Sequence, residues 1–152
     1  MIFQTKTIKP MKIAVDFDGT IVEHKYPKIG KVMPFAFPAL IELQKLGHQL
    51  ILWTYRSGKE LDAAVEFCRK NGLEFYAVNK NYPDEVFDDS ISRKIYADVY
   101  IDDRNIGGFP GWSIVWRLIK NNDPFNYKEF FNNFSNESKK DSFSEKFKKL
   151  LS

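Results

Sequence analysis

Three short apolar runs in this chain end in polar residues that packing alone does not require, and no other feature restricts the fold as much. "IAVDFD" (13–18) closes on Asp16 and Asp18, "HQLILWT" (48–54) on Thr54, and "ADVYIDD" (97–103) on Asp102 and Asp103. Runs of this length, rich in β-branched and aliphatic residues, read as strands buried on both faces. The segments between them have helical spacing. In "PFAFPALIELQKLG" (34–47), Leu40, Leu43 and Leu46 recur at helical intervals and Gly47 ends the run. "KELDAAVEFCRKNG" (59–72) is amphipathic and stops at Asn71-Gly72. "EFYAV" (74–78) reads as a further strand, and 79–92, with Pro83 inside it, as a loop. "WSIVWRLIK" (112–120) has the β-branched content of a strand. Its Trp112, Val115, Trp116 and Ile119 nevertheless fall at helical spacing, and the helical reading is preferred.

Strands alternating with helices in this way predict an α/β fold: a doubly wound, Rossmann-like, mostly parallel sheet with helices on both faces. At 152 residues, with 43% apolar and 28% charged, the chain has the material for one globular core. The expected domain is 1–120. A polar tail rich in Phe, Asn and Lys (121–152) is expected to be helical or only loosely packed. The net charge of +3, with signs well mixed, gives no argument for a nucleic-acid or membrane partner. The single cysteine, Cys68, excludes an internal disulfide and a cysteine-based zinc site, and reads as a buried thiol. No apolar run approaches the roughly 18 residues of a membrane span, and the first ten residues lack a signal peptide's apolar core. The expectation is a cytoplasmic protein. Met11 directly precedes the first strand, so either Met1 or Met11 suits as a start.

In an open parallel sheet, the C-terminal strand ends face a common crevice, and ligands bind where the strand order reverses. With the first strand central, Asp16, Asp18, Thr54, Asp102 and Asp103 converge there. Four carboxylates in one crevice need a cation, and all-oxygen ligation at that charge points to Mg²⁺. In an extended segment residues i and i+2 share a side, so both carboxylates of Asp-x-Asp reach the crevice. One can attack phosphorus while the other exchanges a proton with the leaving group. Gly19 lets the chain turn sharply off the strand. Thr54, the neighbouring Tyr55 and Arg56, and Lys94 offer donors and charge to a phosphoryl group.

"DFDGT", the Thr of "LWTYR", the Lys of "RKIYADVYIDD" and its closing "DD" together resemble the four ordered motifs of the haloacid dehalogenase superfamily of phosphohydrolases. The likeness runs over about residues 11–120. Matching "DxDGT" by chance, at about 5–7% per residue type, happens on the order of once in a thousand chains of this length.

The resemblance implies Asp16 as the nucleophile, carrying an aspartyl-phosphate and a metal ligand. It implies Asp18 as general acid and then base, with its backbone carbonyl touching the metal. It implies Thr54 and Lys94 as holders of the phosphoryl group, Asp102 as a direct Mg²⁺ ligand, and Asp103 as a water-mediated ligand or an orienter of Lys94. The family's dehalogenases lack the second acid, so the retained Asp18 implies phosphate chemistry. Lys80 and Arg93 compete with Lys94. Asp88 and Asp89 read as a solvated loop pair and His24 and His48 as structural or surface residues, with a place at the crevice entrance as the alternative for His24 in "EHKYPKIG". Arg56 and Arg104 are candidates to touch a substrate anion.

Neither position where the family inserts a cap domain has room for one, so the expectation is a capless, open site. Such a site admits a phosphorylated small molecule or macromolecule, with a neighbouring subunit as an alternative lid. Two rival readings accompany this one: a non-catalytic phosphate-binding or regulatory module on the same fold, and a response-regulator receiver. The receiver's adjacent acidic residues after the first strand do not match Asp-x-Asp.

Overall fold

The computed structural model describes residues 9–121 and 123–125. The expectations for the polar tail and for the first eight residues lie outside the described residues, apart from 121 and 123–125. The elements in chain order are β1 (Lys12–Val15), α1 (Ala36–Lys45), β2 (Gln49–Leu52), α2 (Gly58–Lys70), β3 (Ala77–Val78), β4 (Val99–Ile101) and α3 (Trp112–Lys120). The strands form one sheet, ordered β3-β2-β1-β4, with every pairing parallel. From β1 the chain steps outward to β2 and β3, then returns to the far side of β1 for β4. The order therefore reverses beside β1, and the expected α/β fold is present.

Alternation along the strands divides the core into two. Ile13, Val15, Leu50, Leu52, Val99 and Ile101 point to one face and pack with buried residues of all three helices. Ala14 and Ile51 point to the other, where they meet Ala77 and Ile95. Among the described residues, the three helices pack on the first face. The second face is covered by the irregular segment 79–98, which has no helix or strand of its own. Its physical reason is compositional, since "NKNYPDEVFDDS" carries Pro83 and local hydrogen-bonding Asn and Asp but no apolar stripe. The segment is held by polar bonds. Glu85 accepts from the Asn81 backbone N–H (2.6 Å) and side-chain amide (2.7 Å), and Asn81 Oδ1 accepts from the Tyr96 N–H (2.7 Å).

Residues 112–120 are helical. Trp112, Val115 and Ile119 are buried along one face, and the Trp112 indole N–H donates to the Thr20 carbonyl (2.8 Å). That bond ties α3 to the loop after β1. Cys68 is fully buried and burial pushes its thiol up to about 12, as befits a core residue. Among the described residues, no helix is long and apolar enough to cross a membrane.

Candidate functional site

Each strand delivers a polar residue to the same edge of the sheet. β1 continues into Asp16, whose N–H donates to the Ile101 carbonyl (2.9 Å), so its backbone is fixed to the end of β4. β4 itself continues into Asp102 and Asp103. Carboxylate oxygens of Asp16, Asp102 and Asp103 lie within 4.8 Å of one another. They border a crevice of about 660 Å³ that is also lined by Asp18, His24, Tyr26, Trp53, Thr54, Tyr55, Arg56 and Arg104.

The electrostatics of this group are dominated by burial and by like charge. Burial pushes the Asp16 carboxyl up to about 7. A hydrogen bond from the Phe17 backbone opposes the shift, while the charges of Asp102, Asp103 and Asp18 add to it. Hard oxygen donors that cannot all ionise comfortably suit a divalent cation such as Mg²⁺. The loop geometry is built for close approach. Gly19 has φ +86°, and a Cβ there would lie 2.2 Å from an Asp103 carboxylate oxygen. Any side chain at position 19 would push Asp103 away from Asp16, which gives this glycine a second role beyond the sharp turn.

Asp18 is placed differently. Its carboxylate is outside the three-residue cluster and sits in the fork of Arg56, with Nε to Oδ2 at 2.6 Å and Nη2 to Oδ1 at 2.7 Å. Nη2 also donates to the Lys28 carbonyl (2.8 Å), and Nη1 to the carbonyls of Pro27 (2.9 Å) and Glu60 (3.5 Å). All five guanidinium donors are therefore engaged, and Arg56 is only 1% exposed. The expectation that Arg56 contacts substrate is corrected. It has no donor to offer, because residues 26–28 fold back and bury it.

Thr54 lines the crevice. Its hydroxyl oxygen accepts from the Arg56 backbone N–H (3.2 Å), and its own N–H donates to Asn79 Oδ1 (2.8 Å). Asn79, which follows β3, was not singled out from the sequence. It has φ +52°, a left-handed conformation that Asn tolerates better than most residues, and an Asn closing a strand was the one available signal. Tyr55 is 96% exposed at the rim. His24 also lines the crevice, and Arg104 places its Nε 3.6 Å from Asp103. Lys94 is not among the lining residues. It is exposed, with its ammonium 4.8 Å from the centre of the Tyr100 ring. Lys80 is also absent from the crevice lining, and its Nζ donates to the Pro83 carbonyl (3.4 Å).

No family model matches this chain, and no curated protein does. Among solved structures it is similar to a conserved protein coded by a locus of Bacteroides thetaiotaomicron. The two share 56% sequence identity, with a TM-score of 0.72, and the match covers 77% of this chain and 95% of the other. At that identity and coverage, the chain belongs to the same family as the conserved Bacteroides protein.

Proposed function

We propose that the chain is a Mg²⁺-dependent phosphatase of the haloacid dehalogenase type, hydrolysing a phosphate monoester through an aspartyl-phosphate on Asp16. The observation that carries this reading is the meeting of Asp16, Asp102 and Asp103 at the reversal point of a parallel sheet. Those three carboxylates would hold the cation. When bound, it would neutralise charge so that an anionic ester could approach an anionic nucleophile.

In the first step an Asp16 oxygen attacks phosphorus, the bond to the leaving oxygen breaks, and Asp18, entering the step protonated, gives that oxygen its proton. In the second step a water loses a proton to Asp18 and attacks phosphorus. The bond to Asp16 breaks, freeing inorganic phosphate and the carboxylate. The Thr54 hydroxyl donates to a phosphoryl oxygen. Arg104 is the cation on the crevice rim with donors to spare; Lys94 serves only by leaving Tyr100. A crevice with no cap domain over it among the described residues suits hydrolysis, since water reaches the intermediate.

The test is hydrolysis of p-nitrophenyl phosphate by the full chain with Mg²⁺, with EDTA, and with Asp16→Asn. Turnover that requires both the metal and Asp16 is the expected result. Turnover surviving in Asp16→Asn removes the nucleophile. A second reading, a phosphate-binding or regulatory module, is favoured by the position of Lys94 away from the crevice. It predicts Mg²⁺-dependent phosphate binding without turnover in the same samples.

A further inference from the structure

Arg56 is the most completely bonded side chain at the crevice, and packing does not explain why a cation is buried there. Its guanidinium lies against the ring of Phe17 (5.0 Å) on one side and of Tyr26 (5.2 Å) on the other. Phe17 stands between Asp16 and Asp18 in the chain, and its ring meets Phe67 of α2 edge-on (6.3 Å). The guanidinium is thus registered against the segment that carries Asp16. On its far side it grips the carbonyls of Pro27 and Lys28, in a loop closed by the Glu23 N–H bond to the Lys31 carbonyl (2.7 Å). Gly30 seals that loop, because a Cβ there would lie 2.0 Å from the Glu23 carbonyl oxygen.

We propose that Arg56 is the positioning residue for Asp18, setting the plane and direction of its carboxyl relative to the phosphorus that Asp16 attacks. This inference rests on the phosphatase reading above. A bidentate guanidinium–carboxylate pair fixes an orientation that a single ammonium contact does not. Each carboxylate oxygen accepts about two hydrogen bonds, so the fork leaves capacity on both for a proton in transit. Asp18 and Arg56 both border the crevice, but Arg56 is almost fully buried with every donor engaged, so it acts only through Asp18. A displacement of about 1 Å in such a group costs roughly 10²-fold in rate.

The test uses leaving groups that differ in their need for a proton. p-Nitrophenolate departs without one, whereas an alkoxide from a primary alkyl phosphate does not. For the wild type, Arg56→Lys and Asp18→Asn, kcat/KM is measured with Mg²⁺ on both esters. Arg56→Lys is expected to lose about 10–100-fold on the alkyl ester and under about threefold on the nitrophenyl ester, with Asp18→Asn showing the same selectivity more strongly. Equal losses on both esters in Arg56→Lys, with Asp18→Asn still selective, overturn the positioning role and leave the phosphatase reading intact. A rise in KM at constant kcat overturns it too, by making Arg56 a substrate ligand. Wild-type protein inert toward both esters overturns the underlying reading and this inference together. Should Arg56→Lys fail to fold, Tyr26→Leu, which removes one ring from the guanidinium, is expected to show the same selectivity on a smaller scale. Loss of equal size on both esters there counts against the proposal.

Discussion

Asp16 and Asp18 are two residues apart on one strand extension, yet the molecule treats their charges in opposite ways. Asp18 meets a guanidinium that matches it oxygen for oxygen. Asp16 meets two more carboxylates, with only a Thr20 hydroxyl at 3.4 Å and the Phe17 N–H to oppose them. One charge is neutralised from within the chain; the other leaves a deficit that a cation from outside can fill. On the phosphatase reading proposed above, that difference would suit one carboxylate that has to keep its direction and one that has to stay reactive.

Asp16→Asn tests that contrast hardest. Activity should fall by about 10³-fold or more, because the amide is not a nucleophile. In EDTA the same substitution should raise the melting temperature, by on the order of 5 °C. The carboxyl's raised value means the folded state holds its proton more tightly than the unfolded state. Ionisation at neutral pH therefore works against the cation-free fold. Thermal unfolding of both proteins at pH 8, with and without Mg²⁺, checks this. A variant that melts lower in EDTA removes the claim of uncompensated charge.

Arg56→Ala should behave in the opposite sense, losing about 3–5 kcal/mol in denaturant unfolding, since it strands a half-buried carboxylate and three carbonyls. Combining it with Asp18→Ala should recover part of that loss. If the double variant is no better than the single, the pair is not where the cost arises. Gly19→Ala comes next, at about 1–3 kcal/mol from the positive φ and the contact with Asp103. It should also weaken Mg²⁺ binding in titration calorimetry, whereas Arg56→Lys should not. Among the rim cations, Arg104→Ala should cost about tenfold in kcat/KM and Lys94→Ala under threefold. The reverse ranking would place Lys94 in the crevice during turnover.

The convergence of Asp16, Asp102 and Asp103 was legible in the sequence because it follows from topology alone. Strand ends in a parallel sheet share an edge, and β1 lies between its two partners. Arg56 was misread for a reason the sequence does not carry. An arginine four residues past the end of β2 looks solvent-facing, and its burial depends on residues 26–28 returning over it, a loop whose path no periodicity encodes. Lys94 stands away from the crevice for a similar reason, since its place over Tyr100 depends on the irregular segment 79–98. Counting eight residues back from Asp102 says nothing about that segment's path. The helix pattern was legible in kind. Apolar spacing shows that a helix has a buried face, while the choice of sheet face is made by the crossovers, and the return to β4 contains no helix.

A third buried ionisable group extends the comparison with the smallest expected effect. His48 is buried at the opposite end of β2, where its Nδ1 accepts from the Met11 N–H (3.0 Å) and its Nε2 has no partner among the described residues. Burial holds its value below the ordinary histidine range. The folded state thus resists protonation, and the unfolded state binds the extra proton as pH falls through about 6.5. Stability contributed here is present above that pH and lost below it. Melting temperatures measured from pH 7.5 to 5.5 should fall by a few degrees more in the wild type than in His48→Gln, which can keep the bond to Met11 without titrating. Parallel curves for the two proteins would mean that His48 takes up its proton in place. Burial without a partner would then not be enough to exclude charge from this fold, and the deficit at Asp16 would have to rest on its neighbouring carboxylates alone.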